Sequence, residues 1–193
     1  MSQSPHPWAA DLASLHAQVW TRLLRGVHDR HAPARHPTLA TIGTDGMPQA
    51  RTVVLRAADE PGATLDIHTD LYSGKVADLR AVPRAALHVW DPSPHLQLRI
   101  QTEVAILSGA EVTDIWARVP ETSRLSYGST PAPGQPIDDA LAYEKSPDPA
   151  SFAVLRLSVL AIDAVHLGPD HRRARFVRAD DWPNGWAGQW LAP

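Results

Sequence analysis

Two arginines five positions apart, a His-Thr pair and a Ser-Gly-Lys step carry the clearest chemistry in this chain. In Arg51-Thr52-Val53-Val54-Leu55-Arg56, strand alternation sends Arg51, Val53 and Leu55 to one face and Thr52, Val54 and Arg56 to the other. The two guanidinium groups therefore serve opposite sides. His68-Thr69 ends a later strand, and Ser73-Gly74-Lys75 opens a helix shortly after it. A helix start presents unpaired N–H groups and a partial positive charge, to which Lys75 adds a full one. The set suits the phosphate of a planar, anionic ligand. Each part also has an ordinary use: Ser73 as a helix cap, Lys75 as a solvated surface charge, Arg51 as the partner of a carboxylate.

Other chemistries lack their motifs. There is no Gly-x-Ser-x-Gly elbow for a serine hydrolase, no His-Glu-x-x-His, no Gly-x-Gly-x-x-Gly and no phosphate loop ending in Gly-Lys-Ser/Thr. His28 with His31, and His166 with His171, have spacings that any chain with 10 histidines produces, so no metal site is expected. The absence of cysteine excludes disulfides, thiolate clusters and a cysteine nucleophile. With 18 Lys+Arg against 21 Asp+Glu, nucleic-acid binding would need a local basic stripe, and none stands out. The first twenty residues lack a basic segment followed by an apolar one, so neither export nor a membrane span is expected and a cytoplasmic location is the default. Lys75 and Lys145 are the only lysines against 16 arginines, so composition draws attention to Lys75. Five of the seven tryptophans, Trp8, Trp20, Trp182, Trp186 and Trp190, lie towards the chain ends, where rings of that size must pack against something.

The elements that would position these residues follow from periodicity. Trp8, Leu12, Leu15, Val19 and Leu23 predict an amphipathic helix over about 8–26, ending near Gly26, with a loop to residue 37. Strands are predicted at 38–43, 49–57 and 64–69, joined by turns at Asp45-Gly46 and at 59–62. Ser73 caps a helix carrying Val76, Leu79 and Val82 up to Pro83, and strands resume at 85–90 and 95–107. Ser108-x-x-Glu111 forms a capping box before a short helix with Val112, Ile115, Trp116 and Val119. Residues 128–151, with five prolines, read as an extended surface segment. Residues 152–162 and 175–178 are further strands. Six or seven strands arriving mostly as hairpins predict a mainly β (α+β) fold, an antiparallel barrel with peripheral helices.

The order of these features resembles that of the pyridoxamine 5'-phosphate oxidase family of FMN-binding split barrels. The match runs through the 38–43 strand, the Asp-Gly hairpin, Arg-x-Val-x-Leu-Arg at Arg51 to Arg56 and Thr-x-x-x-Ser-x-Lys at Thr69 to Lys75. Downstream, His95-Leu96-Gln97-Leu98-Arg99-Ile100 is similar to the family's flavin-contacting strand, and Pro120 to Ser123 falls at an Arg-Pro-x-x-Ser segment. Residues 163–176 align without a gap to the family's C-terminal signature, and the resemblance covers about 36–193. It implies one FMN-binding split-barrel domain over 1–193, with FMN as cofactor. Arg51, Ser73 and Lys75 would hold its phosphate, with Gly74 where the family has an arginine. Thr52, Val53, Val54, Leu55 and Arg56 would lie along the ring, His68 and Thr69 would replace a Tyr-Thr pair, Gln97 would bond the ring and Arg175 would contact the flavin.

On the substrate side the resemblance implies Arg56, Ser123, His171 and Arg173, with Arg173 the candidate catalytic group through electrostatic help. Where the family binds a vitamin B6 phosphate with Lys, Tyr, Arg and Ser, this chain has Arg56, Ile115, Val119 and Ser123; Arg118 or Arg124 could substitute if the helix shifts. In the C-terminal signature the family tryptophan becomes Val165, the first arginine His171 and the histidine Arg173. The implied function is an FMN-dependent oxidoreductase passing hydride between a small, anionic substrate and flavin N5, as a homodimer with its sites at the subunit interface. Two alternatives use the same barrel: a non-enzymatic flavin or haem binder, with His68, His88 or His166 as axial ligand, and an NAD(P)H-dependent flavin reductase.

Overall fold

Alternating burial along extended segments builds most of the molecule, seen in a computed structural model that describes residues 6–179, 181 and 185–193. The strands are β1 (Thr38–Ile42), β2 (Pro48–Thr52), β3 (Leu55–Asp59), β4 (Thr64–Asp70), β5 (Arg84–Asp91), β6 (Leu96–Ser108), β7 (Ser129–Thr130), β8 (Glu144–Lys145), β9 (Phe152–His166), β10 (Arg172–Arg178) and β11 (Trp186–Leu191). Every pairing among them is antiparallel. Nine form one sheet in the order β11-β10-β9-β6-β5-β1-β2, with β3 paired to β4 and β4 to β9, while β7 and β8 make a separate ribbon.

The split in the barrel is a property of β9. Along its whole length one edge pairs with β6, but its other edge pairs with β4 over residues 152–158 and with β10 over residues 161–166. The changeover coincides with an irregularity opposite Gln101 and Thr102, a bulge that bends the strand. At the far end of the order, β2 runs into β3 after only Val53 and Val54, which returns the chain to β4 and closes the barrel. The expected single strand over 49–57 is thus two strands around a corner, where the N–H of Val53 donates to Pro37 O instead of a ladder partner.

Inward-facing Leu39, Leu55, Leu65, Leu87, Leu98 and Leu155 fill the barrel, and α1 (Leu12–His28) closes it with Leu15, Val19, Trp20 and Leu23. The helix begins later than periodicity predicts. Asp11 caps it by accepting from Ser14 N at 2.7 Å, and Trp8 sits in a preceding 3-10 turn opened by Pro7. Gly26 does not end it; it lies against the backbone of Ala34 in the following 3-10 turn Pro33–Arg35. α2 (Gly74–Ala81) follows β4 as expected. After a 3-10 turn at Gly109–Val112 come α3 (Thr113–Arg118) and α4 (Glu121–Arg124), separated by Pro120. Val112, Val119, Tyr127, Phe152 and Val154 form a second cluster beneath them.

The C-terminal reading needs the largest correction. β9 and β10 are longer than predicted, and the tail forms β11, paired with β10 from Arg173↔Leu191 to Arg178↔Trp186. Trp20 and Trp186 are buried and Trp8 packs on His166, as bulky terminal rings require, whereas Trp190 is 44% exposed. Trp182 lies outside the described residues. Among them no helix is long and apolar enough to cross a membrane.

Candidate cofactor cradle and substrate cavity

The turn between β4 and α2 draws the cradle residues together. Lys75 Nζ donates to Thr69 Oγ1 at 3.0 Å and to Ser73 Oγ at 3.1 Å, and the two hydroxyls lie 3.2 Å apart. Ser73 occupies the N-cap position, but its hydroxyl donates to Asp70 O at 2.8 Å and does not cap the helix. The Ser73 hydroxyl therefore takes up none of the first N–H groups of α2, and the half-buried Lys75 ammonium stands beside them. Asp70 shapes the turn from below, accepting from Tyr72 N at 2.8 Å and from Gly128 N at 3.0 Å. At Gly74 an added Cβ would meet no atom within 4 Å. The Cβ position at which the family carries an arginine is open.

Arg51 reaches this region from β2. Its guanidinium donates to Thr41 Oγ1 and pairs with Asp78 of α2 at 3.2 Å, while Thr41 donates to the same carboxylate at 2.8 Å. The carboxylate partner that sequence left open is therefore real, and it aims Arg51 at α2. Burial, and after it the charge of Arg51, pulls the Lys75 ammonium below its ordinary value. Two cations crowded into a half-buried turn are suited to a phosphate, whose charge would relieve both costs. Thr41, Asp70 and Asp78 were missed from sequence, because nothing in their spacing links them to residue 51 or 75.

The corner between β2 and β3 divides the next predicted group. Val53 and Leu55 are buried in the barrel core, so only Thr52, Val54 and Arg56 present side chains outward. Arg56 does face away from Arg51. It lines a cavity of about 500 Å³ with His68, Ser123, Ile115, Val119 and Arg35. This cavity lies between β3 and β4 on one side and α3 with α4 on the other. Three of the expected residues, Arg56, His68 and Ser123, thus meet there. Arg35 was missed; it comes from the loop after α1, where no periodicity marks it.

Several groups on the cavity wall are already committed. Arg156 donates to both oxygens of Asp66, Nε at 3.0 Å and NH2 at 2.8 Å. Arg35 NH1 donates to Val27 O at 2.7 Å and Leu55 O at 3.0 Å, so it ties α1 to β3. Arg124 donates to Val119, Trp116 and Ala117 carbonyls and does not line the cavity. His68 stands edge-on to Phe152, and burial, assisted by Arg56, holds its pKa down at about 4. It is neutral near pH 7.

The remaining predicted residues lie elsewhere. Gln97 on β6 is half-buried, and His171, Arg173 and Arg175 belong to the β10 end of the sheet; none lines the cavity. Asp163 of β9 sits between Arg99 and Arg173, each pairing with it at 2.8 Å. That ion pair offsets much of the charge that would make Arg173 an electrostatic catalyst. Arg175 reaches Gln101 at 3.5 Å. Of the candidate axial ligands, His166 is buried beneath His6 and Trp8, while His68 and His88 are half-buried on separate strands. Among the described residues no three His, Cys, Asp or Glu side chains group as a metal site.

Comparison with known proteins fits this geometry. Residues 17–108 match the family profile described as pyridoxamine 5'-phosphate oxidase, FMN-binding domain. A pyridoxine/pyridoxamine 5'-phosphate oxidase of Thermosynechococcus vestitus is 33% identical over 156 residues, covering 81% of this chain and 62% of that protein. The enzyme of the same name from Cupriavidus pinatubonensis is 31% identical over 167 residues, covering 81% of this chain and 78% of its relative. Among solved structures, a pyridoxamine 5'-phosphate oxidase-related, FMN-binding protein of Nostoc punctiforme superimposes with a TM-score of 0.75 at 26% identity, covering 100% of both chains.

Proposed function

The chain belongs to the pyridoxamine 5'-phosphate oxidase family of FMN-binding proteins, and from that premise we propose that it is an FMN-dependent oxidoreductase acting on a small organic anion. FMN is the cofactor. The observation that carries the reading is the Lys75, Thr69 and Ser73 cluster at the start of α2, with Arg51 steered towards it by Thr41 and Asp78. In this proposal Arg51, Ser73 and Lys75 hold the FMN phosphate, Thr52 and Val54 lie along the ring with the backbone of Val53 and Leu55, and Gln97 and Arg175 complete the flavin contacts. Bound FMN supplies a hydride acceptor at ring N5.

The protein's own part is to orient and to charge the site. Arg56 and Ser123 bind the substrate from the cavity, and neutral His68 adds a polar edge without adding charge. His171 and Arg173 are the proposed substrate contacts from β10. They do not reach the cavity of the same chain, which is the reason to propose a homodimer with each site completed by the second copy. Loss of polar side chains at Ile115 and Val119 favours a substrate other than a vitamin B6 phosphate.

The test is direct. Protein reconstituted with FMN should retain it through gel filtration, and Lys75→Ala combined with Arg51→Ala should strip it; unchanged retention in the folded double variant refutes the cradle. Anaerobic mixing with pyridoxine 5'-phosphate or with NAD(P)H then separates the reactions by which one bleaches the flavin.

A further inference from the structure

His166, at the end of β9, is 2% exposed, and its Nδ1 has no hydrogen-bond partner among the described residues. The N-terminal arm and the loop after β9 close over the ring. From the arm, His6 and Trp8 each stand edge-on to it, with ring centroids 5.5 Å away. In the loop, a Cβ added at Gly168 would lie 2.5 Å from its Cε1 and 3.1 Å from Nδ1, so the backbone packs against the ring. The turn before β6 fixes that loop, since Leu167 N donates to His95 O at 2.9 Å. The arm is separable from the helix it precedes: its 3-10 turn, Pro7–Ala10, lies before Asp11, which caps α1 through Ser14 N.

Among the described residues the charged groups acting on His166 are all basic: His6 from the arm, His95 from the turn before β6, His171 from the loop and Arg172 opposite it on β10. On the same side of the sheet, Asp91 pairs with Arg22 at 3.0 Å and Asp170 is exposed. Trp8, whose π face would otherwise favour a nearby cation, already carries the Arg22 guanidinium 5.0 Å from its ring centroid. A neutral imidazole tolerates this setting. An imidazolium would add an N–H without an acceptor and a charge without a counter-ion. Burial first, and the basic neighbours after it, therefore hold the His166 pKa below the ordinary 6.5. With the arm withdrawn and the ring hydrated, that penalty is relieved. Docking is fully supported above about pH 6.5 and weakens as pH falls below it.

We propose that His166 is an acid-operated latch for the N-terminal arm: neutral, it seats His6 and Trp8 on the end of β9, and protonated, it releases them and uncovers the shared end of β6, β9 and β10. The latch is independent of the cofactor cradle and of the reaction proposed above.

The test follows Trp8 by fluorine NMR in the full chain labelled with 5-fluorotryptophan, its signal assigned by loss in Trp8→Phe, from pH 8 to pH 5.5. The expected result is a solvent-exposed Trp8 signal whose population relative to the docked one rises by up to about tenfold per pH unit below 6.5, the slope for one proton taken up on release. Far-UV circular dichroism should stay constant over the same range, so that the release is local. His166→Phe should keep Trp8 docked throughout, whereas His6→Gln, which removes a basic neighbour and leaves His166 in place, should retain the transition. If His166→Phe does not fold, the Cε1–H titration of His166 in the unsubstituted chain decides, with an expected midpoint below 6.5 that coincides with Trp8 release. A Trp8 signal that stays docked to pH 5.5, a transition that persists in folded His166→Phe or vanishes in His6→Gln, or a His166 midpoint at or above 6.5 overturns the latch.

Discussion

At the scale of single residues, the site works by holding charge where water is scarce. His68 shows the cost. Its folded pKa of about 4 lies below the ordinary 6.5 because burial, then Arg56, disfavours the imidazolium. Between those values the unfolded chain binds a proton that the folded chain does not, so this stability is complete above about pH 6.5 and is lost as pH falls towards 4. The linkage amounts to up to about 3 kcal/mol. His68→Gln should therefore lose less stability than the wild type between pH 7 and pH 4.5 in urea unfolding. Equal losses would show that His68 titrates normally. Lys75 is depressed for the same physical reason, burial first and Arg51 second, but there a phosphate would reverse the cost. The cradle was legible from sequence because Thr69, Ser73 and Lys75 span one strand end, one turn and one helix start. Arg118 and Arg124 were legible only as alternatives; Arg118 lines the cavity, whereas three carbonyls hold Arg124.

Elements carry those residues into place through close backbone approaches. The end of α1 packs on the 3-10 turn that delivers Arg35 to the cavity, and Gly26 is the point of contact. An added Cβ would stand 2.8 Å from the carbonyl carbon of Ala34 and 2.9 Å from its oxygen, both backbone atoms. Gly26→Ala would gain up to about 1 kcal/mol of helix propensity and lose roughly 1–3 kcal/mol to overpacking. The expected outcome is a net loss of about 1 kcal/mol in chemical unfolding, and a rise in stability would mean that the turn moves freely. Periodicity found α1 but misread Gly26 as a terminator, because a glycine that permits contact and one that ends a helix look alike in sequence. The same ambiguity hid the β2–β3 corner. Val53 and Val54 have the composition of a strand, and only the pairing of β2 with β1 and of β3 with β4 shows that the ladder changes partner between them.

For the whole molecule, the unresolved pairing is that of surfaces. The accessible area is 10962 Å², against ~9,000 Å² expected for a compact monomer of this mass. Ile42, Trp90, Leu160 and Val177 are large apolar side chains left 39% to 47% exposed. Val177 stands on the same β10 face as Arg173 and Arg175 by strand alternation. If a second copy covers this face, light scattering should return twice the monomer mass, and Val177→Glu should shift the population to monomer and weaken FMN retention. A monomeric wild type with a full complement of FMN would overturn the homodimer.

What the sequence determined by itself is what neighbouring residues decide together: the alternation of the strands, the turn at Asp45-Gly46, the serine and lysine at the start of α2. Those features are local, so their chemistry is set before the chain folds. Tertiary structure decided the rest. It aims Arg51 through Thr41 and Asp78, turns the tail into β11, and assembles a cavity in which Arg156 neutralises Asp66 from 90 residues away. Pairing across such separations depends on which strands lie side by side, and the cluster of arginines around the cavity exists only once they do.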